Sequence, residues 1–296
     1  MSNQAYLYPE EEFLTPGHLG CQGCGAALAM RHVLKGLGSK TIIVIPACCW
    51  SIIAGPYPYS AVKVPILHTA FETAASTAAG VRAALRARGD NETTVMAWAG
   101  DGGTFDIGLQ ALSGAAERNS DFLYVCYDNE AYMNTGIQRS SATPFGAWTT
   151  TTPEKKEERK KDIMRIMAAH RIPYAATATI ADPEDLIKKV RKAKDIRGTR
   201  FLHILSPCPP GWKTPSELTI KLARMAVRAK VFPLYEIEEG VHYTLTPVND
   251  PVPVEDYIRL QGRFSHITER DLVSVQAGIE RNWDYLERHV VANPER

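Results

Sequence analysis

Thr93-Thr94-Val95-Met96-Ala97-Trp98 runs through Ala99 into Gly100-Asp101-Gly102-Gly103. The first six residues read as a short buried strand, and Asp-Gly-Gly as a tight turn. Ile107, Ala111 and Ala115 then recur at helical spacing up to Glu117. Phe122–Tyr127 is a second apolar, β-rich run, leading into Asp128-Asn129-Glu130-Ala131-Tyr132-Met133-Asn134. The unit is strand–turn–helix–strand, with a polar turn after each strand. If the strands are parallel, both turns lie at the carboxyl edge of the sheet, where open α/β sheets bind ligands. Asp101 and Asn129 converge there as hard oxygen donors, the ligand type Mg²⁺ takes, with substrate phosphates completing its octahedron. Gly100, Gly102 and Gly103 let the backbone approach a phosphate, and the helix N-terminus after them favours its charge. Either turn alone fits ordinary turn chemistry; the two together, one βαβ unit apart, indicate a diphosphate and metal site.

The same alternation runs through the rest of the chain. Strands are expected at Thr41–Ile45, Val62–Leu67, Tyr174–Thr179 and Phe201–Leu205. Helices are expected at Ala26–Leu37, Phe71–Arg88 and Ser216–Lys230, and from the N-cap pair Asp182-Pro183 to about Lys194. The fold class is therefore α/β, a doubly wound, mainly parallel sheet of about six strands with helices on both faces. Asn134 to Thr152 reads as a long loop, and loops of that length are usually functional or mobile. Glu154–Lys161 mixes both signs of charge and reads as the solvated start of a helix through Ala169. Beyond Val231 a hairpin is expected, Phe232–Ile237 and Val241–Leu245 around Glu239-Gly240. Thr268 and Asp271 then form a capping box opening a final helix to about Val290. The division is 1–230, a cofactor-binding α/β domain, and 231–296, a C-terminal extension packed on the core or on a partner subunit.

With 296 residues the chain can bury a sizeable core. With a net charge of +1 and acid and base interspersed, nothing argues for a nucleic-acid surface. Met1–Phe13 carries three consecutive glutamates and no apolar core, so it reads as no signal peptide. No apolar run nears the roughly 18 residues of a membrane span, and the expected location is cytoplasmic.

Six cysteines without a secretion signal point to metal or redox use. Cys21-Gln22-Gly23-Cys24-Gly25, just ahead of a helix, fits a redox dithiol, half a zinc site or two ligands of an iron–sulfur cluster. Cys48-Cys49 follow one strand, and Cys208, in Ser206-Pro207-Cys208-Pro209-Pro210, follows another. Both are carboxyl ends, the edge that carries the metal turn. Four thiolates there suit a [4Fe–4S] cluster or a Cys₄ zinc site. Cys126, mid-strand, reads as a small core residue. His68, at the end of a strand, is a candidate for lining the site, and Glu72 reads as helix-start chemistry favoured by the dipole.

Gly-Asp-Gly followed by an Asn-ended turn resembles the thiamine diphosphate and Mg²⁺ signature. The stretch D-N-E-A-Y-M-N-T-G, Asp128–Gly136, is similar to the thiamine-binding β subunit of the 2-oxoacid:ferredoxin oxidoreductases, particularly those acting on pyruvate. The likeness extends from Gly17 to about Glu280. It implies thiamine diphosphate held through Mg²⁺ on Asp101, Asn129 and the Ala131 carbonyl, beside the glycine turn. It implies Asn134 beside the thiazolium and substrate, a catalytic position. It implies a [4Fe–4S] cluster on Cys21, Cys24, Cys208 and a third cysteine that aligns best with Cys49, Cys48 being its rival; Cys24 and His68 also border the cofactor. The implied reaction is oxidative decarboxylation of a 2-oxoacid, pyruvate first, with electrons passed through the cluster to ferredoxin and the acyl group to coenzyme A. The glutamate that activates thiamine is expected on a partner subunit carrying the pyrimidine domain, and a ferredoxin-like subunit is a further expected partner. Alternatives are an oxalate, branched-chain or aromatic 2-oxoacid enzyme, a non-oxidative thiamine decarboxylase or synthase component, and a zinc-stabilised binding protein.

Overall fold

The computed structural model describes residues 9–291. Of the N-terminal stretch read as no signal peptide, residues 1–8 lie outside the described residues. In chain order the elements are α1 (Gly25–Leu37), β1 (Thr41–Pro46), α2 (Trp50–Ile53), β2 (Ile66–Thr69), α3 (Ala74–Ala87), β3 (Thr94–Gly100), a π-helical turn (Gly102–Asp106), α4 (Leu109–Glu117) and β4 (Phe122–Asp128). Then follow α5 (Ile163–Ala169), β5 (Tyr174–Thr179), α6 (Pro183–Asp195), β6 (Thr199–Leu205), α7 (Pro209–Trp212) and α8 (Thr219–Arg228). β7 (Tyr235–Glu238), β8 (His242–Leu245), α9 (Val254–Ile258) and α10 (Glu269–Val291) complete the chain, with 3₁₀ turns at Ser216–Leu218 and Gly262–Phe264.

One sheet holds all eight strands in the order β2-β1-β3-β4-β6-β5-β7-β8. β1 to β6 pair in parallel, and the β7–β8 hairpin joins β5 antiparallel. The central strands are continuous apolar runs because both of their faces are covered. Met96, Trp98, Leu123, Val125 and Tyr127 pack with Leu34 of α1 and Val190 of α6. The alternate residues Val95, Ala97, Phe122 and Tyr124 pack with Ala78 of α3 and Leu112 of α4. This is the doubly wound, mainly parallel sheet the sequence implied, with helices on both faces. From β1 the chain goes out to the β2 edge and then back across to β3. The carboxyl ends of β1 and β3, at Pro46 and Gly100, therefore flank a reversal of winding, the place where such sheets form a crevice.

Several boundaries differ from expectation. The strand read as Val62–Leu67 is shorter and later: Val62 makes an isolated bridge to Leu14, and the sheet pairing begins only after Pro65, at Ile66. The helix read from Phe71 begins at Ala74, so Glu72 lies in the turn before it rather than in its first turn. Gly102 to Asp106 is no tight turn but a π-helical one, with Ile107 N–H bonded to the Gly102 carbonyl five residues back at 3.3 Å. The Glu154–Lys161 run is not the start of a helix: α5 begins at Ile163, capped by the Asp162 carboxylate on the Arg165 amide at 3.0 Å. Nor is the run wholly solvated, since Lys156 is fully buried and Lys160 reaches the carboxylates of Asp128, which ends β4, and Glu130. The hairpin turns on Glu239 and Gly240, both left-handed (φ 52° and 72°), the backbone that two-residue hairpins favour. Thr268 and Asp271 cap α10 reciprocally: the Asp271 amide donates to Thr268 Oγ1 at 3.2 Å and the Thr268 amide to Asp271 Oδ2 at 3.1 Å.

Candidate functional site

Asp101 directly follows β3 and Asn129 directly follows β4, and neighbouring parallel strands bring the two turns together. Both residues are buried. Ser140 Oγ donates to Asp101 Oδ2 at 2.5 Å, leaving Oδ1 turned toward Asn129. The inner atom of the Asn129 amide lies 2.9 Å from both Asp101 Oδ1 and the Ala131 carbonyl oxygen. With the amide nitrogen inward, it donates to both; with its oxygen inward, three acceptors face one another. Ligands at about 2.0–2.1 Å from an octahedral Mg²⁺ stand about 2.9 Å apart when adjacent. The donor set and its spacing thus fit neighbouring positions of a Mg²⁺ octahedron.

Electrostatics point the same way. Burial, and then the charge of Asp128, pushes the Asp101 carboxyl well above the usual carboxylate range, although Ser140 and Lys160 act against them. A cation at this position would favour the ionised form. Asp128 itself is pulled the other way: burial disfavours its charge, but Lys160 Nζ at 2.5 Å and His203 Nε2 at 2.7 Å outweigh it. Glu130 accepts from Lys160 at 2.8 Å and from Arg263 at 2.6 Å.

The glycines of the turn answer to packing as well as to access. A Cβ on Gly102 would fall 2.4 Å from the Tyr132 ring, and one on Gly103 3.2 Å from Phe71. These two rings meet edge to face at 5.9 Å, and Tyr132 Oη donates to Asp106 at 2.9 Å, closing the π turn. Gly100 sits 3.3 Å from the Tyr127 ring by the same measure, and Ala131 is buried below its carbonyl. Asn134 stands exposed on the loop beyond, and His68 is exposed on the edge strand β2 opposite Ile45. Neither is drawn into the Asp101–Asn129–Ala131 group.

The cysteines gather on the adjoining side of the crevice. Cys24, Cys49 and Cys208 each stand at the N-cap position of a helix, α1, α2 and α7. Gly25 packs directly on the Ser206-Pro207 backbone, with its N–H on the Pro207 carbonyl at 3.1 Å, which ties the CxxC loop to the end of β6. Burial pushes the Cys49 thiol up to about 12, and Cys48, Cys208 and Cys24 add to it. Cys208 is likewise pushed up to about 12 by burial, with Cys24 and Cys21 contributing. Cys48 faces elsewhere: its thiol is raised by burial and bonded to the Tyr127 hydroxyl. Among the described residues no three His, Cys, Asp or Glu side chains form a tight chelating group, so these thiols are neighbours without closing on one another. Cys21 is the exposed member, on an open cleft of about 500 Å³ lined also by Pro209, Pro210 and Lys213. Cys126 is buried in the core.

Residues that sequence reading missed are Ser140, Lys160, Trp212 and Arg263. Lys160 carried a signal, a lysine in a run of charges close downstream of two acids. Arg263 lies in Gln261-Gly262-Arg263-Phe264, a stretch that resembles the family's carboxyl tail, but nothing there pointed to its partner Glu130, 133 residues away.

A model of the thiamine pyrophosphate enzyme C-terminal TPP-binding domain matches residues 49–204. The chain is thus built on a thiamine diphosphate-binding domain, the class to which its sheet belongs. It is 51% identical over 293 residues to the ketoisovalerate oxidoreductase subunit VorB of Pyrococcus furiosus, covering 95% of this chain and 94% of that one. It is 52% identical over 278 residues to the pyruvate synthase subunit PorB of Methanothermobacter marburgensis, covering 92% and 96%. Its fold is shared with a 2-oxoglutarate:ferredoxin oxidoreductase from Magnetococcus marinus, at a TM-score of 0.59 and 23% identity over 75% of this chain and 82% of that one. The chain belongs to the family of thiamine diphosphate-dependent 2-oxoacid:ferredoxin oxidoreductases, as their β subunit. Among the described residues no helix is long and apolar enough to cross a membrane.

Proposed function

We propose that this chain binds thiamine diphosphate through Mg²⁺ and carries one [4Fe–4S] cluster, in a cytoplasmic hetero-oligomer that oxidatively decarboxylates pyruvate to acetyl-CoA and passes the electrons to ferredoxin. The observation that carries the reading is the meeting of Asp101 Oδ1, the Asn129 amide and the Ala131 carbonyl at 2.9 Å spacing behind a glycine turn. Asp101, Asn129 and Ala131 hold the metal, and the backbone of Gly100, Gly102 and Gly103 borders the diphosphate. Thiamine diphosphate supplies an electron sink for decarboxylation. Asn134, exposed beyond the metal turn, is free to meet substrate from the crevice side. Residues 1–230 supply the cofactor site and 231–296 brace it. The glutamate that activates thiamine and the ferredoxin-like module belong to partner subunits.

Cys21, Cys24, Cys49 and Cys208 are the cluster ligands in this reading. Cys49 is favoured over Cys48 because Cys208 and Cys24 stand close enough to bear on its thiol, while the Cys48 thiol is bonded to Tyr127. A branched-chain 2-oxoacid is the second substrate reading, supported by identity to a ketoisovalerate subunit that equals that to a pyruvate one within a percentage point.

The test is anaerobic purification with the co-eluting partners, then iron, sulfide, magnesium and thiamine analysis per copy of this chain. About four irons and four sulfides assigned to this chain support the cluster. Zinc without sulfide would sink the electron-transfer role. Rates of ferredoxin reduction with pyruvate and with 2-ketoisovalerate then decide the substrate.

A further inference from the structure

Glu130 stands between Asn129 and Ala131, the two residues that face Asp101, and its backbone is left-handed, φ 68°. Side chains other than glycine avoid that conformation, and it persists only where the surroundings over-determine it. The Glu130 carboxylate is buried and held from two sides, by Lys160 at 2.8 Å and Arg263 at 2.6 Å. Arg263 is itself buried, in the 3₁₀ turn Gly262–Phe264 of the C-terminal extension. Gln261 Oε1 accepts from its Nε at 3.0 Å and from its terminal nitrogen at 2.7 Å, fixing the guanidinium plane. That plane lies 3.9 Å from the centre of the Trp212 ring, and Trp212 Nε1 donates to the Asn129 carbonyl at 2.9 Å. One arginine thus bears on both Asn129 and Glu130 without touching an oxygen of the metal group.

We propose that Arg263 is a positioning residue for the cation-binding turn, holding Glu130 in its left-handed conformation and thereby the Asn129 amide and the Ala131 carbonyl at octahedral spacing. The proposal rests on the Mg²⁺–thiamine diphosphate reading of that turn. An ion pair that only neutralised a buried acid would contribute to stability alone. A pair that sets the turn's shape contributes to affinity as well, and glycine at 130, which takes φ near +68° without strain, replaces it.

The test uses the full-length protein with its co-purifying subunits, stripped of cofactor and titrated with Mg²⁺–thiamine diphosphate in a calorimeter, with a thermal melt of each variant. Arg263→Met is expected to weaken binding about tenfold, as removal of an outer-shell partner does. Glu130→Gly added to Arg263→Met is expected to recover most of that loss. If Arg263→Met fails to fold, Arg263→Lys, which keeps the charge and loses the planar fork, is expected to show a smaller loss in the same direction. Unchanged affinity in the folded single variant overturns the proposal, and so does a double variant that melts normally yet binds as weakly as the single one. Failure of the wild-type complex to bind Mg²⁺–thiamine diphosphate overturns the cofactor reading itself, and it is told apart because no substitution is involved.

Discussion

Asp101 is an acid placed where burial and a second acid disfavour its charge, a cost that a bound cation would offset. Removing the charge while keeping the shape isolates that effect. Asp101→Asn is expected to fold with a melting temperature close to wild type and to lose Mg²⁺–thiamine diphosphate affinity by more than about a hundredfold, beyond the range of outer-shell changes, read by calorimetry. The two adjacent cysteines separate equally cleanly. Cys49→Ser is expected to lose the bound iron and Cys48→Ser to retain it, in elemental analysis of anaerobically purified protein. Lys156 gives a pH signature. Its ammonium donates to the Thr143 carbonyl at 2.5 Å, and burial, with Arg139, lowers its pKa to about 8. An unfolded lysine titrates near 10.4, so between about pH 8 and pH 10 the unfolded chain binds a proton that the folded chain does not. Stability from this group therefore rises with pH across that window. The melting temperature of wild type relative to Lys156→Met should climb from about pH 8 to pH 10; a flat difference would remove the buried-charge explanation.

At the scale of elements, the π turn is the device that aims Asp101. Inserting one residue per turn between β3 and α4 leaves Gly108 against the Gly103 carbonyl, where a Cβ would come within 2.1 Å of the oxygen. Backbone cannot swing aside as a side chain can. Gly108→Ala is expected to cost about 1–3 kcal/mol, the usual toll of overpacking, in thermal or denaturant melts. Gly114, inside α4 with only the end of Arg118 nearby at 3.4 Å, is the control. Its alanine variant should be neutral or stabilising by up to about 1 kcal/mol, because alanine is the better helix former. The turn after β4 is braced differently, by Lys160 from the charge run and by Trp212 of α7.

In the whole molecule, cofactor site and stability are one system. Strands β3 and β4 lead into Asp101 and Asn129, β1 and β6 lead into Cys49 and Cys208, and the C-terminal extension packs on α7 and α8. Tyr257, Phe264 and Leu272 of the extension share a core with Trp212 and Leu222. A ligand bound to the folded state alone adds about 2.7 kcal/mol at a hundred times its dissociation constant. Mg²⁺ and thiamine diphosphate together should therefore raise the melting temperature of the purified complex, measurably so in scanning calorimetry. The Asp101→Asn complex should show no such rise at the same concentrations.

What the residues determined by themselves was the local code. Continuous apolar runs such as Phe122–Tyr127 can be satisfied only between two helical layers, and a carboxylate and an amide just after two such runs must share the sheet's carboxyl edge. That much, with the family likeness of Asp128–Gly136, was legible without coordinates. The different surroundings of Cys48 and Cys49 were not, because neighbours in sequence differ only in which way the chain turns after β1. The fate of Glu154–Lys161 was hidden for a related reason: mixed charges look solvated until a buried acid elsewhere claims one of them. The role of Arg263 was beyond reach of any local pattern, although its stretch resembles the family's carboxyl tail. Its meaning lies in a contact with Glu130 across 133 residues, and such contacts exist only once the sheet, α7 and the C-terminal turn have packed together.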